Sequence, residues 1–236
     1  MKQLLVVVLG IAGVSVLLGA CKKNDSGPQQ DAKVMLVNAV ARDSAAYNFY
    51  FNDVKLNSQA IRYPGASGYL PIKPGNYAVK IAAANTINPI AAGSYTVGAG
   101  SNYSVFAYDS IMGGKVKVFA AEDDLSAPAA GKARVRFFHL SPVAIAVDVL
   151  ANDSLLFANR SYADNITNTA KGAFKTVDAG TYTIKVKLAG SPESIPAVLT
   201  LNNVNFLAGA VYTIFAKGLV DAEGVNALGA EIITNR

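Results

Sequence analysis

The chain has 236 residues, a formal charge of +5, 52% hydrophobic and 16% charged residues, one histidine, one cysteine and no tryptophan. Its basic residues are scattered, with Lys22-Lys23 and Arg134/Arg136 the densest pairs; a nucleic-acid binder would gather them on one face, so no nucleic-acid partner is expected. One cysteine gives no internal disulfide, and a single histidine falls short of the three or four ligands of a zinc site, so no metal and no cofactor are expected.

The first twenty residues read as an export signal. Lys2 provides a positive start, Leu4 to Leu18 is almost wholly apolar, and the small residues Gly19 and Ala20 precede Cys21. This order marks a segment removed from the mature protein. The stretch is short for a permanent span, which needs about 20 apolar residues. Leu18-Gly19-Ala20-Cys21 resembles the bacterial lipobox, which implies a diacylglyceryl group on the Cys21 thiol and a new N-terminus at that residue. Multiple acyl chains, at about 0.8 kcal/mol per buried methylene, anchor a protein stably. The membrane is therefore one expected partner. The expected location is exported and lipid-anchored, at the outer membrane, facing either side of it.

Residues 21–31 include the polar run Asn24-Asp25-Ser26-Gly27-Pro28-Gln29-Gln30 and read as a lipidated N-terminus and flexible tether. Beyond it the chain repeats itself. Ala32-Lys33-Val34-Met35-Leu36-Val37-Asn38 matches Ala133-Arg134-Val135-Arg136-Phe137-Phe138-His139, and Tyr47 to Asp53 matches Val147 to Asp153. Ile72 to Ile81 matches Val177 to Val186, and Gly100 with Tyr103 to Ala107 matches Gly209 with Tyr212 to Ala216. Leu125 to Gly131 lies between the copies. The expected organisation is a domain at 32–124, a linker at 125–131 and a second domain at 132–236.

Each copy reads as strands. Runs rich in Val, Ile, Tyr, Phe and Thr end at Gly, Pro, Asn or Asp. Val105 to Tyr108, Gly113-Gly114 and Val116 to Phe119 form a hairpin pattern. Tyr182, Ile184 and Val186 alternate with Thr183, Lys185 and Lys187, the period of a strand with one buried face. Asn85, Asn88 and Pro89 interrupt the Ala-rich stretch Ile81 to Ala92 and exclude a helix there. The expected fold is all-β, with two tandem Ig-like or transthyretin-like antiparallel β-sandwiches.

Ala133-Arg134-Val135-Arg136-Phe137-Phe138-His139-Leu140-Ser141-Pro142, followed by Val147-Asp148-Val149, resembles the opening of the domain-of-unknown-function 4397 family. Gly68-Tyr69 to Tyr77 and Gly209 to Ala216 are similar to its later elements. The resemblance covers nearly all of the mature chain, twice. It departs at Val40-Ala41-Arg42-Asp43, which lacks the Ser-Pro element, and at Val143, where an acidic residue is usual. It implies tandem β-sandwiches in a lipoprotein or secreted protein of Bacteroidota, and brings no activity with it.

No catalytic residues are expected. His139 corresponds to Asn38, so the position calls for hydrogen bonding at a strand end, tying down the next loop, and not for acid–base chemistry. Glu122-Asp123-Asp124, the one acidic cluster, reads as a solvated loop. No Gly-x-Ser-x-Gly elbow is present. Tyr77 and Tyr182, each two residues after a turn glycine, read as structural. Tyr47, Phe49 and Tyr50 are the candidate ligand platform, and Asp43-Ser44-Ala45, Asp109-Ser110-Ile111 and Asp153-Ser154-Leu155 resemble O-glycosylation acceptors at Ser44, Ser110 and Ser154. The expected function is non-enzymatic: a cell-envelope lipoprotein presenting two sandwiches to a protein or glycan partner. A surface glycan-capture protein beside an uptake system, and a fimbria-like subunit, are the alternatives.

Overall fold

The computed structural model describes residues 30–111, 114–143 and 145–236. Residues 1–29, which hold the expected signal segment, Cys21 and most of the expected tether, lie outside the described residues. The first half contains β1 (Ala32–Ala39), β2 (Tyr47–Phe51), β3 (Val54–Lys55), β4 (Gly65–Ile72), β5 (Gly75–Ala83), β6 (Pro89–Val97), β7 (Asn102–Asp109) and β8 (Val116–Glu122). The second contains β9 (Lys132–His139), β10 (Val147–Ala151), β11 (Ser154–Arg160), β12 (Lys175–Asp178), β13 (Gly180–Leu188), β14 (Leu199–Phe206), β15 (Val211–Lys217) and β16 (Gly229–Thr234). A short helix, α1 (Asp164–Thr167), and a 3-10 turn, Thr169–Gly172, stand between β11 and β12.

Each half is a sandwich of two four-stranded sheets. The orders β3-β2-β5-β6 and β4-β1-β7-β8 in the first half recur as β11-β10-β13-β14 and β12-β9-β15-β16 in the second. The all-β sandwich expectation holds, with one refinement. β1 runs parallel to β7, and β9 parallel to β15, while the other ladders are antiparallel. Parallel neighbours need a long crossover, and here the chain supplies it by building the whole opposing sheet between the two strands.

Local chemistry sets the turns. Asn52 and Asp53 have φ of 48° and 65°, and Asn152 and Asp153 have 46° and 65°. Asn and Asp tolerate this left-handed region, which two-residue hairpins demand. The Asn52 side chain accepts from Ala78 N at 2.8 Å, and Asn152 accepts from Thr183 N at 2.8 Å. The repeated tyrosines reach backward as expected: Tyr77 Oη donates to Lys73 O at 2.7 Å and Tyr182 Oη to Asp178 O at 2.9 Å.

Three apolar clusters organise the chain. One fills the first sandwich, around Val34, Leu36, Phe49, Ile81 and Val105. A second fills the other, around Val135, Phe137, Val149, Ile184 and Ile214. The third lies between the inner sheets and joins the halves, drawing Met35, Val37, Phe106 and Phe119 from one side and Phe138, Leu140 and Phe215 from the other. Phe106 is stacked on Phe119 with centroids 5.0 Å apart, and meets Phe138 and Phe215 edge-on at 5.4 and 5.8 Å. Such pairs contribute about 0.5–1.5 kcal/mol each beyond their burial. The inner strands are thus apolar on both faces, whereas the outer ones alternate.

A buried polar network sits in the same plane and corrects the reading of the acidic cluster at Asp123; Glu122 and Asp124 are exposed, as expected. Asp123 and Arg136 have side chains with no solvent exposure and are ion-paired across the junction. Asp123 also accepts from Ser104 Oγ at 2.7 Å and Tyr69 Oη at 2.5 Å. Arg136 donates to Thr213 Oγ1 at 2.8 Å and Glu122 O at 3.1 Å, and its guanidinium lies 4.7 Å from the Phe138 ring centroid and 4.4 Å from that of Phe174. Asn235 closes the circuit, accepting from Thr213 and donating to Tyr69 and Ser104. Burial lowers the Arg136 pKa and the facing Asp123 charge opposes that; burial and the same charge push the Tyr69 phenol up, keeping it a donor. The segment 125–131 is tied down at its start: Arg134 donates to Asp124 O and Ser126 O, and Arg236 to Leu125 O.

Removing one member of a buried pair strands the other charge. Arg136→Ala is therefore expected to cost about 3–5 kcal/mol of unfolding free energy, measured by urea titration. A loss under about 1 kcal/mol, the worth of a surface pair, would contradict this account of the junction.

Candidate functional site

The inner sheets cover one another except along one flank. There β8 is the last strand of its sheet, and β12 pairs with β9 only over residues 132–135. The rest of β9 is flanked by α1 and the 3-10 turn. Arg160 holds this segment in place: its guanidinium binds both carboxylate oxygens of Asp164, at 2.8 and 2.7 Å, and lies over the rings of Phe137 and Phe157. Asn168 then caps the 3-10 turn by accepting from Ala170 N.

Between β8 and this segment runs a groove of about 770 Å³. Phe119 and Phe138 form its floor, Phe174 and Ile166 its far wall, and the β8 residues Val118 to Glu122 its near wall. Ile166 is 41% exposed, an apolar side chain at the mouth. Two buried polar atoms of the lining have no hydrogen-bond partner: Arg134 Nε and Asn165 Oδ1. Asn165 is only 6% exposed, and an unpaired buried polar group of this kind costs about 1–3 kcal/mol until something satisfies it. The other Arg134 nitrogens are engaged, Nη1 with Asp124 Oδ2 at 2.5 Å; this contact and the Ser126 amide hold the Asp124 carboxyl well below its usual range. Tyr95 Oη donates to Val118 O at 2.7 Å, and burial pushes this phenol up to about 12, so it remains a donor at neutral pH.

The proposed aromatic platform is not one. Tyr47 and Phe49 are both 0% exposed and pack in the first sandwich core, because that strand is the inner-facing centre of its sheet. Only Tyr50 is half-exposed, and it stands on the opposite face of the strand. Ser44 and Ser154 are exposed, whereas Ser110 is 7% exposed and leaves no room for a glycan; it sits where Asp109 accepts from Ala41 N and Arg42 N. Cys21, the expected lipid-attachment residue, is outside the described residues. Among the described residues, no group of three or more His, Cys, Asp or Glu side chains could hold a metal. The groove residues escaped sequence reasoning because β6, β8, β9 and the 160–174 segment supply them from far apart. The pair Phe137-Phe138, apolar on both faces of one strand, was the available signal.

His139 does tie down the next loop. It is 1% exposed, and Nε2 lies 3.3 Å from Ile145 O. Asn38 plays the same part in the first half, donating to Ala45 O and Ile61 O.

The profile of one family, described as Domain of unknown function (DUF4397), matches residues 32–150, from β1 through the first sandwich into β10. The chain belongs to this family. Among solved structures, this DUF4397 chain is similar to the Bacillus anthracis TIE protein, with 11% identity, a TM-score of 0.25, and coverage of 80% of this chain and 34% of that one. It therefore spans about a third of that protein's length. It is also similar to CBMbc, a family CBM26 protein from Eubacterium rectale Amy13K solved in complex with maltoheptaose, with 11% identity, a TM-score of 0.24, and coverage of 86% and 96%. Likeness at that level says nothing about the groove. No curated protein matches the chain.

His139 gives a pH prediction. Burial, the largest cause, pulls its pKa below 6.5, opposed by the hydrogen bond to Ile145. A depressed imidazole lends stability that is full above 6.5 and lost as pH falls through the folded value, since the unfolded chain takes up the proton first. The single histidine resonance is expected to titrate with a midpoint below 6.5, and His139→Asn should flatten the loss of stability on the acid side. A midpoint at or above 6.5 would contradict the burial.

Proposed function

We propose that this DUF4397 protein is a non-enzymatic, exported lipoprotein whose two sandwiches are tandem family copies acting as one rigid presenter of a binding groove to a protein or glycan partner. The observation that carries the reading is the groove at the junction of the halves, with its apolar floor and the unsatisfied Arg134 Nε and Asn165 Oδ1. Binding sites are concave, mostly apolar, and furnished with a few convergent polar groups. A groove floored by a shared core is also preorganised, which lowers the entropic cost of binding. The residue order from Lys2 to Cys21 supports the anchor, and the polar run after it supports a tether at the outer membrane of a Bacteroidota-type cell.

Ile166→Asp puts a charge at the mouth of the groove without touching either core. Purified full chain is expected to bind members of a glycan array or of a random-peptide display library saturably, and Ile166→Asp to bind them at least about tenfold more weakly. Absence of saturable binding from both collections would sink the reading. For the anchor, cells producing the chain are expected to load labelled palmitate onto it, and Cys21→Ala to carry no label and leave the membrane fraction. An unlabelled wild-type chain would contradict lipidation.

A further inference from the structure

We infer that the occupant of the groove is an extended polypeptide segment that adds a strand to the free edge of β8; this rests on the groove being the binding site. The strand's hydrogen-bond parity can be read from its ends. Ser110 N donates to Lys115 O at 2.8 Å, and Asp123 N to Asn102 O at 2.7 Å, so odd-numbered residues of β8 turn their backbone groups toward β7. Even-numbered residues turn theirs into the groove. Two of those carbonyls are already engaged, Val118 O by Tyr95 and Glu122 O by Arg136. Ala120 stands between them, and its N–H and C=O meet no partner among the described residues.

The groove therefore presents one donor and one acceptor from the Ala120 backbone on one wall. From the other half Arg134 and Asn165 line it, with the buried Arg134 Nε and Asn165 Oδ1 lacking a hydrogen-bond partner. A peptide backbone offers an acceptor and a donor to the Ala120 edge, which is the chemistry of strand addition. Small residues on both sides, Ala120 and Ala121 against Gly172 and Ala173, leave room for its side chains. Those turned toward the second half face Phe174 and Ile166, which favours apolar residues at alternate positions. The floor rings argue against a sugar: Phe119 and Phe138 are 5% and 0% exposed, so neither offers an open face for stacking.

Ala120→Pro removes the groove-facing N–H alone, since Ala120 gives no bond to β7, and proline is tolerated on an edge strand whose N–H faces outward. Peptides enriched from a random display library on the full chain are expected to bind Ala120→Pro about tenfold more weakly, the worth of roughly one hydrogen bond. On wild-type protein, N-methylation of such a peptide should weaken binding at the one residue whose N–H meets Ala120 O and spare its neighbours. This second measurement decides the matter should Ala120→Pro fail to fold. Equal affinity for both proteins with a flat N-methylation profile would overturn the inference. So would glycan binding sensitive to Ile166→Asp with no peptide enriched, an outcome that leaves the groove standing as the binding site.

Discussion

Arg136 and Asp123 meet in the plane where the two inner sheets face each other, and neither side chain reaches solvent. Taking both ions out of water costs several kcal/mol apiece, and their attraction offsets that only when the remaining donors and acceptors are also met. Here they are. Thr213, Ser104, Tyr69, Asn235 and the Glu122 carbonyl complete the circuit, and two aromatic rings sandwich the guanidinium. Apolar sheets can slide over one another at little cost. A charge pair with one geometry cannot, so the pair selects a single register for the halves while the Phe106–Phe119–Phe138–Phe215 cluster supplies the bulk of the adhesion.

The groove is a consequence of that register. With the inner sheets fixed, the short β12 leaves the end of β9 uncovered, and the chain fills the space with α1 and a 3-10 turn held by the Arg160–Asp164 pair. The edge of β8 and the flank of the second half then become two walls of one site. Arg136 serves both features, ordering the junction through Asp123 and blocking Glu122 O at the end of the open edge. At the far end of the same strands, Tyr162 of the second half donates to the Asp109 carbonyl of the first. The two sandwiches are thus linked at both ends of their shared face.

Much of this was legible in the sequence. The Asn-Asp turns, the backward-reaching tyrosines and the alternation of Thr181 to Val186 depend on neighbours close in the chain, and local chemistry announced them; the alternation stops at Lys187, which is buried and donates to Pro192 O and Glu193 O. His139 and Asn38 were readable as loop ties because the repeat set them side by side. What failed was long-range contact, within and between the halves. Tyr47 and Phe49 looked available because aromatic composition does not say which face of a strand is covered, and both proved to be core of the first sandwich. Asp123 looked solvated because its partner lies in the other half. One clue was present: Met35-Leu36-Val37 and Val105-Phe106-Ala107-Tyr108 are apolar on consecutive residues, the mark of strands buried on two faces, whereas an isolated sandwich would show alternation there.

The claim on which the rest depends is that the shared face makes the halves one cooperative body. Native-state hydrogen exchange in low denaturant tests it most directly, comparing the amides of β1 and β7 with those of β9 and β15. The account predicts one global opening, with the same free energy and denaturant dependence for all four strands. If β9 and β15 exchanged at a lower free energy while β1 and β7 stayed protected, the halves would be separate folding units, and the account would be contradicted.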